Sequence, residues 1–249
     1  MPNDQVALEI LRDIHGNGLH FELNGSFDLA HETFSFVLNG LSIVETKSDD
    51  LITATVLKAD TLRDDGYTSL RHALRDAKSE LFDRAETKLL EALDVTASLS
   101  SDYASLPYWV SRDGGELFTA HAKTEGCLGR LVVAQQISEG ALNLDGPATT
   151  EQREAQHWFG RAHRHALLGD SAYTGASIAI TAARTEVING SLLRDLPWLK
   201  RAGTFVLGQW DEGLRWHDRV DAVRTIVHHS PELKNRSTAM AAATHWRTV

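Results

Sequence analysis

Cysteine is nearly missing from this chain of 249 residues, where Cys127 stands alone. An internal disulfide is therefore impossible, and so is a zinc site built from several thiolates. No apolar run approaches the ~20 residues that a membrane-spanning helix needs. The start, Met1 to Gln5, has neither a basic cluster nor an apolar core, so no secretory signal is expected. These gaps predict a cytoplasmic protein without membrane attachment. The sequence also lacks a phosphate-cradling glycine loop, a nucleophile elbow and a His-Glu-x-x-His zinc helix. Neither a cofactor nor a metal is expected.

What is present is ordinary globular composition, 42% hydrophobic and 24% charged, which excludes wholesale disorder. The net charge of −9 argues against a nucleic-acid coat. The charge is uneven, however. From Arg194 to the end, 9 Lys or Arg stand against 6 Asp or Glu. A local basic surface on an acidic protein suits a phosphate-bearing partner.

The pattern predicts an α+β protein in two parts. The first, residues 1–145, is expected to be an antiparallel β-meander with one long helix. Leu19 to Leu23 and Phe34 to Leu38 alternate apolar with polar residues. Each is followed by Asn-Gly, at Asn24-Gly25 and Asn39-Gly40, which tolerate the positive φ of hairpin turns. Four or five strands are expected between Leu19 and Lys58. Asp64-Asp65-Gly66 reads as a turn with solvated acids. Apolar residues at steps of three and four then predict one helix over Thr68 to Leu93. Leu106 to Ser111 and Glu116 to Ala120 read as another hairpin, and residues 127 to 140 suit either strand or helix.

Asn143 to Thr150 reads as a linker, with Thr150 placed to cap the next helix. The second part, residues 150–249, is expected to be an all-α bundle. Its helices span Glu151 to Leu168, Ser171 to Leu196, a short one near Trp198 to Gln209, Asp211 to His229, and Asn235 to Trp246. No internal repeat is visible.

Arg224-Thr225-Ile226-Val227-His228-His229 carries the most suggestive chemistry. An arginine can brace a phosphate with two parallel hydrogen bonds. A histidine can exchange a proton near neutral pH. Together they are the minimum kit for cleaving RNA without a metal. On a regular helix His228, at i+4, lies about 40° around from Arg224, and His229, at i+5, about 140°. His229 converges only if the last turn opens before Pro231, so both histidines stand as candidates. Glu186 could meet Arg224 across the bundle. His157, Arg161 and His165 fall on one face of the preceding helix, and Arg161, Arg164, His165 and Arg219 are candidate RNA contacts.

Around this string, residues 150 to 232 resemble the HEPN superfamily, and within it the ApeA-like branch. The resemblance lies in the Arg224/His229 spacing, the string Val-Arg-Thr-Ile-Val-His-His, His163 to Asp170, and Ala183 to Ile188 with Glu186. It implies a four- or five-helix bundle, a metal-independent endoribonuclease acting by 2′-hydroxyl attack on RNA such as tRNA, and a homodimer sharing one cleft. Arg224 with His229 or His228 would be catalytic, supported by Glu186 and by Thr225, which stands where active members often carry Asn. The context it implies is defence or a toxin-like role, with a regulatory protein or phage-derived trigger acting on the N-terminal part. The alternative is a catalytically inactive module that binds RNA or a protein partner.

Overall fold

The computed structural model describes residues 2–44, 51–103, 112–139, 150–169, 171 and most of 174–182. The described residues are all-α. Six helices follow one another: α1 (Pro2–Leu23), α2 (Phe27–Ile43), α3 (Leu51–Asp76), α4 (Glu80–Tyr103), α5 (Arg112–Ser138) and α6 (Thr150–Leu168). Further helical residues lie between Thr174 and Ala182. No described helix is long and apolar enough to cross a membrane.

The expected α+β class is thus corrected. No strand occurs among the described residues, and the segments read as a meander form α1, α2 and the start of α3. The reason is visible in α1, whose buried face is Leu8, Leu11, His15, Gly18 and Glu22, at steps of three and four. Two of these five are titratable, so an apolar/polar reading loses the helical stripe and sees only the short alternation at Leu19 to Leu23. Asn24-Gly25 does form a turn, but between helices. Gly25 has φ +74°, its N–H donates to the Glu22 carbonyl at 3.0 Å, and the Ser26 N–H donates to the Phe21 carbonyl at 2.9 Å. This is a Schellman cap on α1, and it needs the same positive φ as a hairpin turn. Asn39-Gly40 lies inside α2, where the missing side chain lets Leu11 approach.

The helix expected over Thr68 to Leu93 is two helices. Ala77 turns the chain at φ 52°, and the Lys78 N–H closes the end of α3 onto the Ala73 carbonyl at 3.1 Å. Asp64-Asp65-Gly66 is mid-helix in α3, not a turn. The Glu116 to Ala120 strand is part of α5, while Leu106 to Ser111 lies outside the described residues. The helix expected over Glu151 to Leu168 coincides with α6.

The helices pair in sequence as α1/α2, α3/α4 and α5/α6, and each pair stacks on the next. The first helices of successive hairpins also touch, α1 with α3 and α3 with α5. That is the contact pattern of an α-solenoid. A repeat is present after all, and it is one of packing. In each second helix a small residue, a large one and a smaller one recur with the same offsets: Ala30, Phe34, Val37; Ala85, Leu89, Ala92; Ala155, Phe159, Ala162. None of the nine is more than 1% exposed. Each large residue presses on a glycine of the first helix. A Cβ added at Gly18, Gly66 or Gly129 would come within 2.6, 3.0 and 2.7 Å of Phe34, Leu89 and Phe159. Larger side chains at these glycines would hold the paired helices apart.

The cores are continuous between hairpins. Leu11, Val37 and Leu57 join α1, α2 and α3. Leu70, Phe82, Leu89, Leu128 and Leu131 join α3 and α4 to α5. Phe159 and Ala162 of α6 pack with Ala122 and Val133 of α5 and with Ile178, Ala179 and Ala182.

Candidate functional site

Two places gather polar groups. The first is a groove of about 560 Å³. Its walls come from the first helices of all three hairpins: Arg12 and His15 on α1, Leu57 and Asp60 on α3, and Thr119 and Lys123 on α5. Gly169 and Ser171, just after α6, close one side. His15 and Asp60 are already committed. His15 Nε2 is 3.0 Å from Asp64 Oδ2, and Arg63 binds both Asp60 and Asp64. Burial alone would raise Asp64, but the Arg63 charge and the His15 hydrogen bond hold its carboxyl below the ordinary range. Arg12 and Lys123 are exposed and make no ion pair among the described residues. The lining therefore presents one braced acid, Asp60, and three exposed charges with no ion pair among the described residues: Arg12, Lys123 and Glu116.

The second place lies between α5 and α6. Glu125 is fully buried. His165 Nδ1 is 2.6 Å from its Oε2, and Arg161 Nε is 2.8 Å from its Oε1. His121, one turn before Glu125, places Nε2 3.6 Å from Oε1, too far for a hydrogen bond. Thr96 on α4 fixes the His121 ring. The Thr96 hydroxyl lies 3.0 Å from the Leu93 carbonyl oxygen and 2.7 Å from His121 Nδ1. With Nδ1 held on Thr96, His121 Nε2 faces the cluster. Burial pushes His121 down to about 4, so it is neutral near pH 7. The His121 and His165 rings meet edge to face at 4.5 Å, and Arg161 also lies over the Trp158 ring at 4.9 Å.

A His–Arg pair around a buried acid occurs elsewhere in the chain. Asp65, 1% exposed, is bound by His31 Nδ1 and by Arg84. Asp64 has His15 and Arg63. Hence the acids read as solvated turn residues are buried and paired. Among the described residues, the Glu125 cluster adds a second histidine, His121, to such a pair, its Nε2 3.6 Å from Glu125 Oε1.

The residues singled out in the sequence fall in two groups. Arg224, His228, His229, Thr225, Glu186 and Arg219 lie outside the described residues. Arg161 and His165 are on α6 and turn inward to Glu125, while Arg164 and His157 are exposed. His121, Glu125 and Thr96 were not anticipated. Their signal was the i, i+4 spacing of His121 and Glu125, facing that of Arg161 and His165. A strand over Glu116 to Ala120, just before His121, hides that spacing, because helical i, i+4 neighbours do not share a face in a strand-like reading. Cys127 is a half-buried thiol whose titration desolvation pushes up, away from reactivity.

No family model, curated protein or solved structure matches this chain.

Proposed function

We propose that the chain is a partner-binding helical-hairpin array whose groove takes an extended, acidic segment of another protein. The observation that carries this is the groove's lining, which comes from the first helices of three consecutive hairpins. Stacked hairpins form such continuous surfaces because each contributes one helix to the same side. Val56 is the partly exposed apolar residue of the lining, beside the buried Leu57 and Ala120. Arg12 and Lys123, from α1 and α5, have no ion-pair partner among the described residues and stand against one exposed acid of the lining, Glu116, on a chain of net charge −9 that would otherwise repel acidic ligands.

An immobilised array of peptides graded in acidic content tests this. The parent chain should retain acidic peptides in preference to neutral ones. Arg12→Glu/Lys123→Glu should lose that preference without a change in helical content. Equal retention of acidic and basic peptides, or a preference unchanged in the variant, would overturn the reading.

The Arg224–His229 string favours a second proposal, metal-independent RNA cleavage by the segment beyond the described helices. Cleavage of total RNA in EDTA by the parent, lost in Arg224→Ala/His229→Ala, would support it. Equal cleavage by both would sink it.

A further inference from the structure

We propose that His121, Glu125 and His165 form a binding site for a divalent first-row transition-metal ion, zinc being the simplest, between α5 and α6. One donor atom from each residue can be chosen so that all lie within 4.8 Å of one another. Metal–ligand distances of about 2.0–2.2 Å place the ligands of one ion ~3–4 Å apart, so small side-chain rotations suffice. Two imidazoles and a carboxylate suit zinc, iron, cobalt or nickel and disfavour magnesium and calcium, which prefer all-oxygen shells.

Three independent features point to an ion. The i, i+4 pair on α5 faces His165 on α6, the way helix bundles build metal sites from facing helices. Thr96 Oγ1, 2.7 Å from His121 Nδ1, holds that ring with Nε2 toward Glu125, which is the outer support that metal-bound histidines receive. Glu125 Oε1 is buried and accepts no hydrogen bond, since Arg161 Nε lies close to it without hydrogen-bond geometry.

Arg161 is the main opposing term. Its charge already balances Glu125, and a dication beside it is repelled. The side chain is 34% exposed and already over Trp158, so it can swing outward along that ring. The competing account is that Glu125, like Asp65, is only a structural acid neutralised by arginine and histidine. The two accounts differ in the sign of one substitution. Removing Arg161 relieves repulsion at a metal site, whereas in a purely structural network it strands a buried carboxylate and creates no affinity.

The test titrates Co²⁺ alone into the metal-stripped full-length chain, following the visible d–d bands, with Zn²⁺ competition. The parent should bind one equivalent in this class, displaced by Zn²⁺. His165→Gln, at a position 26% exposed and so tolerant of change, should lose at least ~10-fold in affinity while remaining helical by circular dichroism. Arg161→Gln should bind at least as tightly as the parent, and Zn²⁺ should raise the Tm of the parent but not of His165→Gln. Absence of the bands, bands unchanged in His165→Gln, or binding lost in a helical Arg161→Gln would each overturn the site.

Discussion

At the scale of single residues, this chain hides its acids. Asp64 and Asp65 look like a solvated turn because Asp-Asp-Gly usually is one. They are buried because α3 carries them between neighbouring helices, where Arg63 and His15 meet Asp64, and Arg84 and His31 meet Asp65. Partners distant in sequence cannot be read from local pattern, which is also why Glu125 was missed. The Asp64 carboxyl is held low in the fold, and the sign of its contribution follows. The ionised form is favoured in the folded state, so its stabilisation is present above the unfolded carboxylate range and is lost as pH falls through the lower folded value. Asp64→Asn should therefore cost ~1–3 kcal/mol at pH 7, less than a fully broken buried pair because Asp60 still faces Arg63. Urea unfolding of parent and variant should show that gap at pH 7 and a narrower one at pH 3. A gap that stays constant would mean the charge is not the cause.

At the scale of elements, helix positions were legible where the fully buried stripe is apolar throughout, as at Ala155, Phe159, Ala162 and Ala166. The span read as Glu151 to Leu168 became α6 almost unchanged. Elsewhere the punctuation was seen but misread, since Asn-Gly marks a positive φ and a helix cap uses one as readily as a hairpin does. Glycine inside the helices has two opposite meanings, and the contacts decide which applies. At Gly16 an added Cβ meets nothing within 4 Å. Gly16→Ala should therefore stabilise by ~0.5–1 kcal/mol through helix propensity. At Gly129 the same Cβ would lie 2.7 Å from the ring of Phe159, which is fully buried and has no room to retreat. Overpacking of ~1–3 kcal/mol outweighs the propensity gain, so Gly129→Ala should destabilise. Opposite shifts in the denaturation midpoints would support close packing of α5 on α6, and parallel shifts would refute it.

At the scale of the whole molecule, the repeat escaped notice because it has no fixed period. The distance from the packing glycine to its large partner grows from 16 residues in the first hairpin (Gly18, Phe34) to 23 in the second (Gly66, Leu89) and 30 in the third (Gly129, Phe159). The first step comes from contacts set farther along longer helices, since residues 24–26 and 77–79 are equally short connections, and the second from the longer connection over 139–149, so only the offsets inside each second helix are kept. A stacked array of this kind has a mechanical consequence. Each hairpin leans mainly on its neighbours, so damage should stay local rather than melt the chain at once. Phe34 is fully buried in the first hairpin, and its removal should cost ~3–5 kcal/mol there. In hydrogen exchange followed by mass spectrometry, Phe34→Ala should expose α1 and α2, loosen α3 less, and leave the amides of α5 and α6 protected as in the parent. The shared core at Leu11, Val37 and Leu57 sets that gradient, since it joins the first hairpin to α3 alone. Uniform loss of protection across all six helices would instead describe one cooperative globule, and the groove would then be a surface feature of that globule and not the common face of an array.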